Sequence, residues 1–174
     1  MRIAVEAFLE LGYDSVSVAE VCARAGISQS TFFRTFDGKP SIVSSSIEAT
    51  HELIAQRMRN SENDSILGSY LDAFHEHFTR LGFESASVLA ANTAVMTRAE
   101  VRGLFLDSIA QGPRHPFAIE LARRLHSEVD DPRVATLRAI IWVATDLAMT
   151  AVAPTGDLDV LVADIRGRLV SFVP

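Results

Sequence analysis

The residues with the most chemical promise lie between Ser28 and Arg34, where the chain reads Ser-Gln-Ser-Thr-Phe-Phe-Arg. An amide that can pair with a base edge, hydroxyls that can hold phosphate oxygens and a guanidinium that can do either are crowded into this short stretch. As nucleophiles, Ser28, Ser30 and Thr31 lack a histidine or carboxylate at a spacing that would activate them, so capping and phosphate contact are the roles the pattern favours. A second cluster, Asp72, His75 and Glu76, shares a helical face but lies opposite the apolar stripe of its segment, and reads as a solvated face short of metal ligands. His75 and His77 point in different directions, and His115 belongs to a Gly-Pro-Arg-His-Pro loop. No paired carboxylates, phosphate-binding glycine loop or multi-cysteine set stands out, so the reading is of a non-enzyme with no metal and no cofactor.

The elements around Ser28–Arg34 explain how it would be held. Ala4, Phe8 and Leu11 form the stripe of a first helix that stops at Gly12. Ser17-Val18-Ala19-Glu20 is a capping box opening a second helix that ends near Ala25. Gly26 permits a sharp turn, Ile27 is expected to plug the core beneath it, and Ser28 caps a third helix reaching about Thr35. Phe32 and Phe36, four apart, point inward, which leaves Gln29, Ser30, Thr31, Phe33 and Arg34 facing out. This is a helix-turn-helix, whose last helix enters the DNA major groove.

Helical spacing continues to the end of the chain, and the fold class read from it is all-α. A long helix runs from Pro40 to about Arg59 with Ile42, Val43, Ile47, Leu53 and Ile54 as apolar positions. After the polar stretch 60–65 comes a strong stripe of Leu67, Tyr70, Leu71, Phe74, Phe78 and Leu81. Further helices are expected near 85–95, 98–110, 116–128, 132–152 and 157–172, with Thr97 to Glu100 as a second capping box and Asp131-Pro132 as a helix start. The division proposed is a DNA-binding domain over 1–45 and a helical ligand-binding and dimerisation domain over 46–174. Of the 174 residues 48 % are hydrophobic and 22 % charged, the composition of a packed chain rather than a disordered one. The lone Cys22 reads as a small core residue, and the apolar run from Ala139 to Ala153 is short for a membrane span and contains Asp146. A cytoplasmic protein without a membrane partner is expected.

Phe8, Gly12-Tyr13, Ser17-Val18, Val21-Cys22, Ala25-Gly26-Ile27-Ser28, Thr31-Phe32-Phe33-Arg34-Thr35-Phe36 and Lys39 together resemble the DNA-binding module of the tetracycline-repressor (TetR) family of bacterial transcription regulators. The resemblance covers roughly Ala4 to Val43. It implies that Thr31 and Lys39 contact phosphates and that Gln29 and Phe33 face the DNA, within an interface made of Ser17, Ser28, Gln29, Ser30, Thr31, Phe33, Arg34 and Lys39. The family usually has tyrosine where Phe33 stands and commonly begins with a basic extension, of which Arg2 is the counterpart here. Residues 1–60 hold six basic and seven acidic side chains, so DNA binding would rest on a local face and a dimer, with a shallow salt dependence.

Residues 61–174 carry ten basic and fifteen acidic side chains, which disfavours nucleic acid there. Phe74, His77, Phe78, Met96, Phe105, Phe117, Trp142 and Met149 could line an apolar cavity with a few polar handles; plain core packing is the alternative for each. The resemblance to a ligand-responsive family favours the cavity and a small hydrophobic or acyl-type ligand. Between Ala139 and Ala153 nearly every position is apolar or small, so that helix must be covered on all sides. Ile140, Ile141, Ala144 and Ala148, with Leu161, Ile165, Leu169 and Phe172 of the last helix, are expected at a homodimer interface. The function read from the whole is a regulator, a repressor released from double-stranded operator DNA by its ligand. The alternative is a small-molecule-binding or interaction module with weakened DNA binding.

Overall fold

The computed structural model describes residues 2–82, 86–110, 115–152 and 157–173, and among these every regular element is a helix. In chain order they are α1 (Arg2–Leu11), α2 (Val18–Ala25), α3 (Gln29–Phe33), α4 (Lys39–Asn60), α5 (Ile66–Arg80), α6 (Ala86–Met96), α7 (Ala99–Ala110), α8 (Pro116–Arg124), α9 (Pro132–Val152) and α10 (Leu158–Leu169). Local chemistry accounts for most of the boundaries. Gly12 and Gly26 take left-handed backbone angles, φ +86° and +65°, at the ends of α1 and α2. Ser17, Ser28 and Ser65 each accept an amide N–H three residues on, at 3.1, 3.1 and 3.2 Å. Asp131 accepts the Arg133 N–H (2.8 Å) in front of Pro132, and Asp157 opens α10 in the same way.

Two expected caps form differently. Thr97 turns its hydroxyl back onto the Thr93 carbonyl at 2.9 Å, ending α6 rather than opening α7. At the start of α2 the Ser17 half of the capping box is present, while the Glu20 carboxylate lies 3.7 Å from Arg24.

α4 is the axis of the molecule. α5, α7 and α8 pack on it, α1 packs near its start, α8 also rests on α9, and α10 lies between α5 and α9. Its buried positions Ile42, Val43, Ile47, Ile54, Ala55 and Met58 join one core cluster that extends from Ala4 to Val173. The helix therefore crosses the proposed division at 45/46 without a break. Leu11, Ile27, Leu53 and Leu81, all expected in the core, are exposed instead. Three of them stand at helix ends, where the stripe has run off the core, and Leu53 is turned about 100° from the buried Ile54. α9 is long and apolar enough to cross a membrane by length and composition. In this fold it is packed between neighbours, and its mid-helix Asp146 pairs with Arg102 of α7 at 2.6 Å.

Candidate nucleic-acid interface

The turn between α2 and α3 is built by its backbone. The Ile27 N–H reaches back to the Cys22 carbonyl (3.0 Å) across the left-handed Gly26, a helix ending that throws the chain sharply into α3. Ile27 does not plug the core. Phe32 is buried instead, its ring centroid 5.4 Å from that of Phe36, in the core cluster that also holds Val16, Val21 and Cys22. With Phe32 anchoring one face of α3, the opposite face is forced outward: Gln29, Ser30 and Arg34 are exposed, and Phe33 is 54 % exposed.

Four of the expected DNA contacts have internal work as well. The Ser28 hydroxyl caps α3 and lies 3.0 Å from the Thr31 hydroxyl, so these two groups meet any phosphate as a linked pair. Ser17 is exposed at the head of α2 but its oxygen accepts the Glu20 N–H. Lys39 is not a free phosphate ligand: its ammonium donates to the Tyr13 and Val16 carbonyls at 2.6 and 2.9 Å and sits 4.5 Å from the Tyr13 ring centroid. Two of its three N–H bonds thus pin the loop before α2 to the start of α4, leaving one for DNA.

Residues 1–45 match the model of the bacterial regulatory proteins of the tetR family. Over these residues the chain is similar to that family's N-terminal module. Along its whole length it is similar to the crystal structure of regulatory protein TetR from Rhodobacter sphaeroides, with a TM-score of 0.55 and 19 % identity over 96 % of this chain and 93 % of that one. At that identity the likeness concerns the fold. No curated protein matches the sequence.

The N-terminal module, residues 1–45, is joined to the rest of the chain by contacts that sequence reasoning missed. Tyr13, buried against Phe8, is flanked on one side by Lys39 and on the other by the guanidinium of Arg98, 5.3 Å from its ring centroid. Arg98 also pairs with Asp14. The α6–α7 turn is thereby fastened to the loop that carries α2. Nothing in the sequence around Arg98 marked it, since that stretch reads as a capping box.

The aromatic residues expected to line a ligand cavity pack on one another instead. Tyr70 lies 6.0 Å from Phe74, 5.8 Å from Phe117 and 6.0 Å from Trp142, while Phe74 lies 4.2 Å from Phe78 and Phe117 lies 4.8 Å from Trp142. Phe74, Phe78, Phe117 and Trp142 therefore form an aromatic core, held by their π-edge contacts and by the Tyr70 hydroxyl bonded to Thr145 at 2.7 Å. Met96 and Met149 pack half-buried against the molecule's core cluster, and the side chain of Phe105 lies outside the described residues. His77 is buried next to Phe78, its Nδ1 3.4 Å from the Arg57 guanidinium.

A pair of buried imidazoles sits where α4, α8 and α9 meet. His115 caps α8 by accepting the Phe117 N–H on Nδ1 (3.2 Å), so its proton is on Nε2 and is donated to His51 Nδ1 at 3.2 Å. His51 in turn stacks on Trp142 at 3.9 Å. Burial lowers His51 to about 3, helped by His115 and Arg138, and lowers His77 and His115 to about 4, helped by Arg57 and Arg138 respectively. All three stay neutral in the fold, whereas in the unfolded chain they take up protons near pH 6.5. Stability is thus fully present above that value and lost as pH falls towards the folded-state values. The expected result is a melting temperature that drops steadily from about pH 6.5 to about pH 4. Replacing His51 and His115 together by phenylalanine and leucine should flatten that part of the profile.

The interface expected between two copies is also corrected. Ile141, Ala148, Leu161, Ile165 and Leu169 are fully buried within one protomer, in which α10 packs on α5 and α9. They cannot meet a second copy. The apolar surface left uncovered lies one face over, where Ala139, Ile140, Val143, Ala144 and Leu147 of α9 form an open groove with Arg168 and Phe172.

Proposed function

We propose that this chain is a ligand-responsive transcriptional regulator: a cytoplasmic homodimer that represses from operator DNA and releases it when a small apolar ligand occupies the 46–174 domain. Its mechanism is a population shift, in which the ligand favours an arrangement of the two 1–45 domains that no longer fits successive grooves. The observation that carries the reading is α3, anchored from below by Phe32 and presenting Gln29, Ser30, Phe33 and Arg34 outward from the end of the α4 axis. Gln29 is the base-reading group and Arg34 the phosphate clamp, with Phe33 supplying apolar contact to a thymine methyl or a sugar. The route from ligand to DNA runs along α4 and through the Tyr13–Arg98 joint.

Selection of genomic fragments with the purified protein tests this directly, and enrichment of one two-fold-related sequence is the expected result. On that sequence, Gln29→Ala should change base preference at one or two positions. Arg34→Ala should weaken binding to all sequences alike and reduce the salt slope by about 1. Absence of any preference over random duplex at low salt refutes the regulator reading. A second reading, an interaction module with weakened DNA binding, is favoured by the ties on the other cations: Arg24 is paired with Glu10 at 2.9 Å, and Lys39 spends its donors on the loop.

A further inference from the structure

Two arginines at the start of α7 tie it to two different parts of the molecule. Arg98 stands immediately before α7, its guanidinium against the Tyr13 ring and paired with Asp14 of the loop that leads into α2. One turn further on, Arg102 donates to the Asp146 carboxylate of α9 at 2.6 Å. The two are linked through the backbone, because the Arg102 N–H closes the first helical turn onto the Arg98 carbonyl at 2.8 Å. Val101, next to Arg102, is wholly buried, so the turn itself is fixed in the core. A path of polar contacts, from Asp14 through Arg98 and Arg102 to Asp146, therefore joins the 1–45 module to α9 without passing through α4.

The far end of this path lies beside the groove of α9. Asp146 directly precedes Leu147 and follows Val143 by three positions, and both of those apolar side chains are about half exposed on the groove. The Asp146 carboxylate is mostly covered, which costs solvation that an alanine or leucine there would not, and Arg102 offsets the cost. Partly exposed ion pairs of this kind add little to stability. What a guanidinium paired with a carboxylate does fix is distance and direction.

We propose that Arg98 and Arg102 are positioning residues for DNA binding: the turn they occupy is a strut that holds each 1–45 module in a set place relative to the α9 face on which two copies meet. This rests on the reading of the chain as a dimeric operator-binding regulator, and it adds a second support to the one that α4 provides. Two recognition helices free to wander about the two-fold axis lose that freedom on binding, which weakens the complex, whereas two already held about 34 Å apart do not. The strut acts on the pairing of the modules and not on what each α3 reads. Its loss should therefore be felt on a two-half-site operator and not on a single half-site.

The probes are the operator selected from genomic fragments, the same duplex with one half-site scrambled, and the same duplex with two base pairs inserted between the half-sites. For the parent protein the insertion should weaken binding roughly 100-fold, the scale of losing a linked second site. Arg102→Gln should bind the unaltered operator about tenfold more weakly, bind the single half-site within about twofold of the parent, and lose less than about tenfold on insertion. Asp146→Asn should reproduce all three results from the other side of the ion pair, and Arg102→Lys, which keeps the charge, should restore most of the operator affinity. Arg98→Gln combined with Arg102→Gln should be no worse than either alone, because a strut cut at one end is already lost. A variant that light scattering finds monomeric, that weakens on the single half-site as much as on the operator, or that keeps the parent's sensitivity to the insertion overturns the proposal. If no sequence is selected at all, the regulator reading falls and the strut falls with it; a selected operator on which the variants behave as the parent does defeats the strut alone.

Discussion

Replacing Glu120 with alanine is expected to destabilise the fold by about 3–5 kcal/mol, the usual result of stranding the partners of a buried carboxylate. For a chain of this length that corresponds to a melting temperature lower by roughly 10 °C or more. Glu120 on α8 is completely buried and is met by Arg123 at 2.7 Å, Arg124 at 2.9 Å and Arg59 at 3.4 Å. Burial alone would push its pKa up; the hydrogen bonds from Arg123 and Arg124 outweigh burial and hold it below the ordinary carboxylate value. Its contribution is therefore present at neutral pH and lost as pH falls through the carboxylate range.

The largest part of the expected loss comes from Arg124, which is nearly buried. Its remaining N–H groups close the end of α4 by bonding the Met58 carbonyl and hold the following turn through the Asn63 and Asp64 carbonyls at 2.8 and 3.2 Å. Without Glu120, that cation would be left buried among carbonyls with no counter-charge. Arg123, half exposed, should matter little: Arg123→Ala is expected to cost less than about 1 kcal/mol, as surface ion pairs do. Thermal unfolding of the two variants side by side checks the contrast, and equal losses would show that the cluster acts through helix propensity rather than through the buried charge.

The parts of this molecule that could be read from the chain are those governed by neighbouring residues. Gly12, Gly26, Ser17, Ser28 and Asp131 each act on the next few peptide groups, so the helices of the N-terminal module and the start of α9 fall where their types demand. Phe32 was legible as an anchor because a four-residue spacing to Phe36 leaves one face of a short helix apolar. What was not legible depends on long-range partners. Lys39 looks like any DNA-facing lysine until the Tyr13 and Val16 carbonyls are brought to it. The aromatic residues of α5, α8 and α9 are compatible with a cavity wall or with a solid core, and only the way Tyr70 sits among them decides for the core. In α9 a helix apolar all round gives no sign of which face its own chain covers, and the face of Ile141 and Ala148 lies wholly inside the protomer.

That redirection determines where a dimer should be broken. Val143→Arg combined with Leu147→Arg is expected to convert the protein to a folded monomer and to reduce operator affinity by about 100-fold or more, the scale set by losing a linked second site. Val143 and Leu147 are 45 % and 48 % exposed, one helical turn apart, on the groove they share with Ile140 and Ala144. Phe172 at the groove's edge is 64 % exposed, so a second copy laying its own α9 across this surface would cover aromatic and aliphatic groups that water now meets. Arginines there would face each other across the two-fold axis, next to Arg168, and repel. Because both positions point away from the core, far-ultraviolet dichroism and the melting temperature of the diluted protein should change little. Ile141→Arg is expected to behave in the opposite way and unfold the protomer, since that side chain is wholly enclosed. The large loss of DNA binding follows from the thin charge of each module. On the proposed reading, Arg34 and one spare N–H of Lys39 would be the main cationic contacts, so a single α3 would neutralise few phosphates and tight binding would need two copies held about 34 Å apart. Light scattering and operator titration on the same double variant test both halves. A monomer that still binds operator as tightly as the parent would show that one module suffices, and a dimer that survives the two arginines would place the interface on another face.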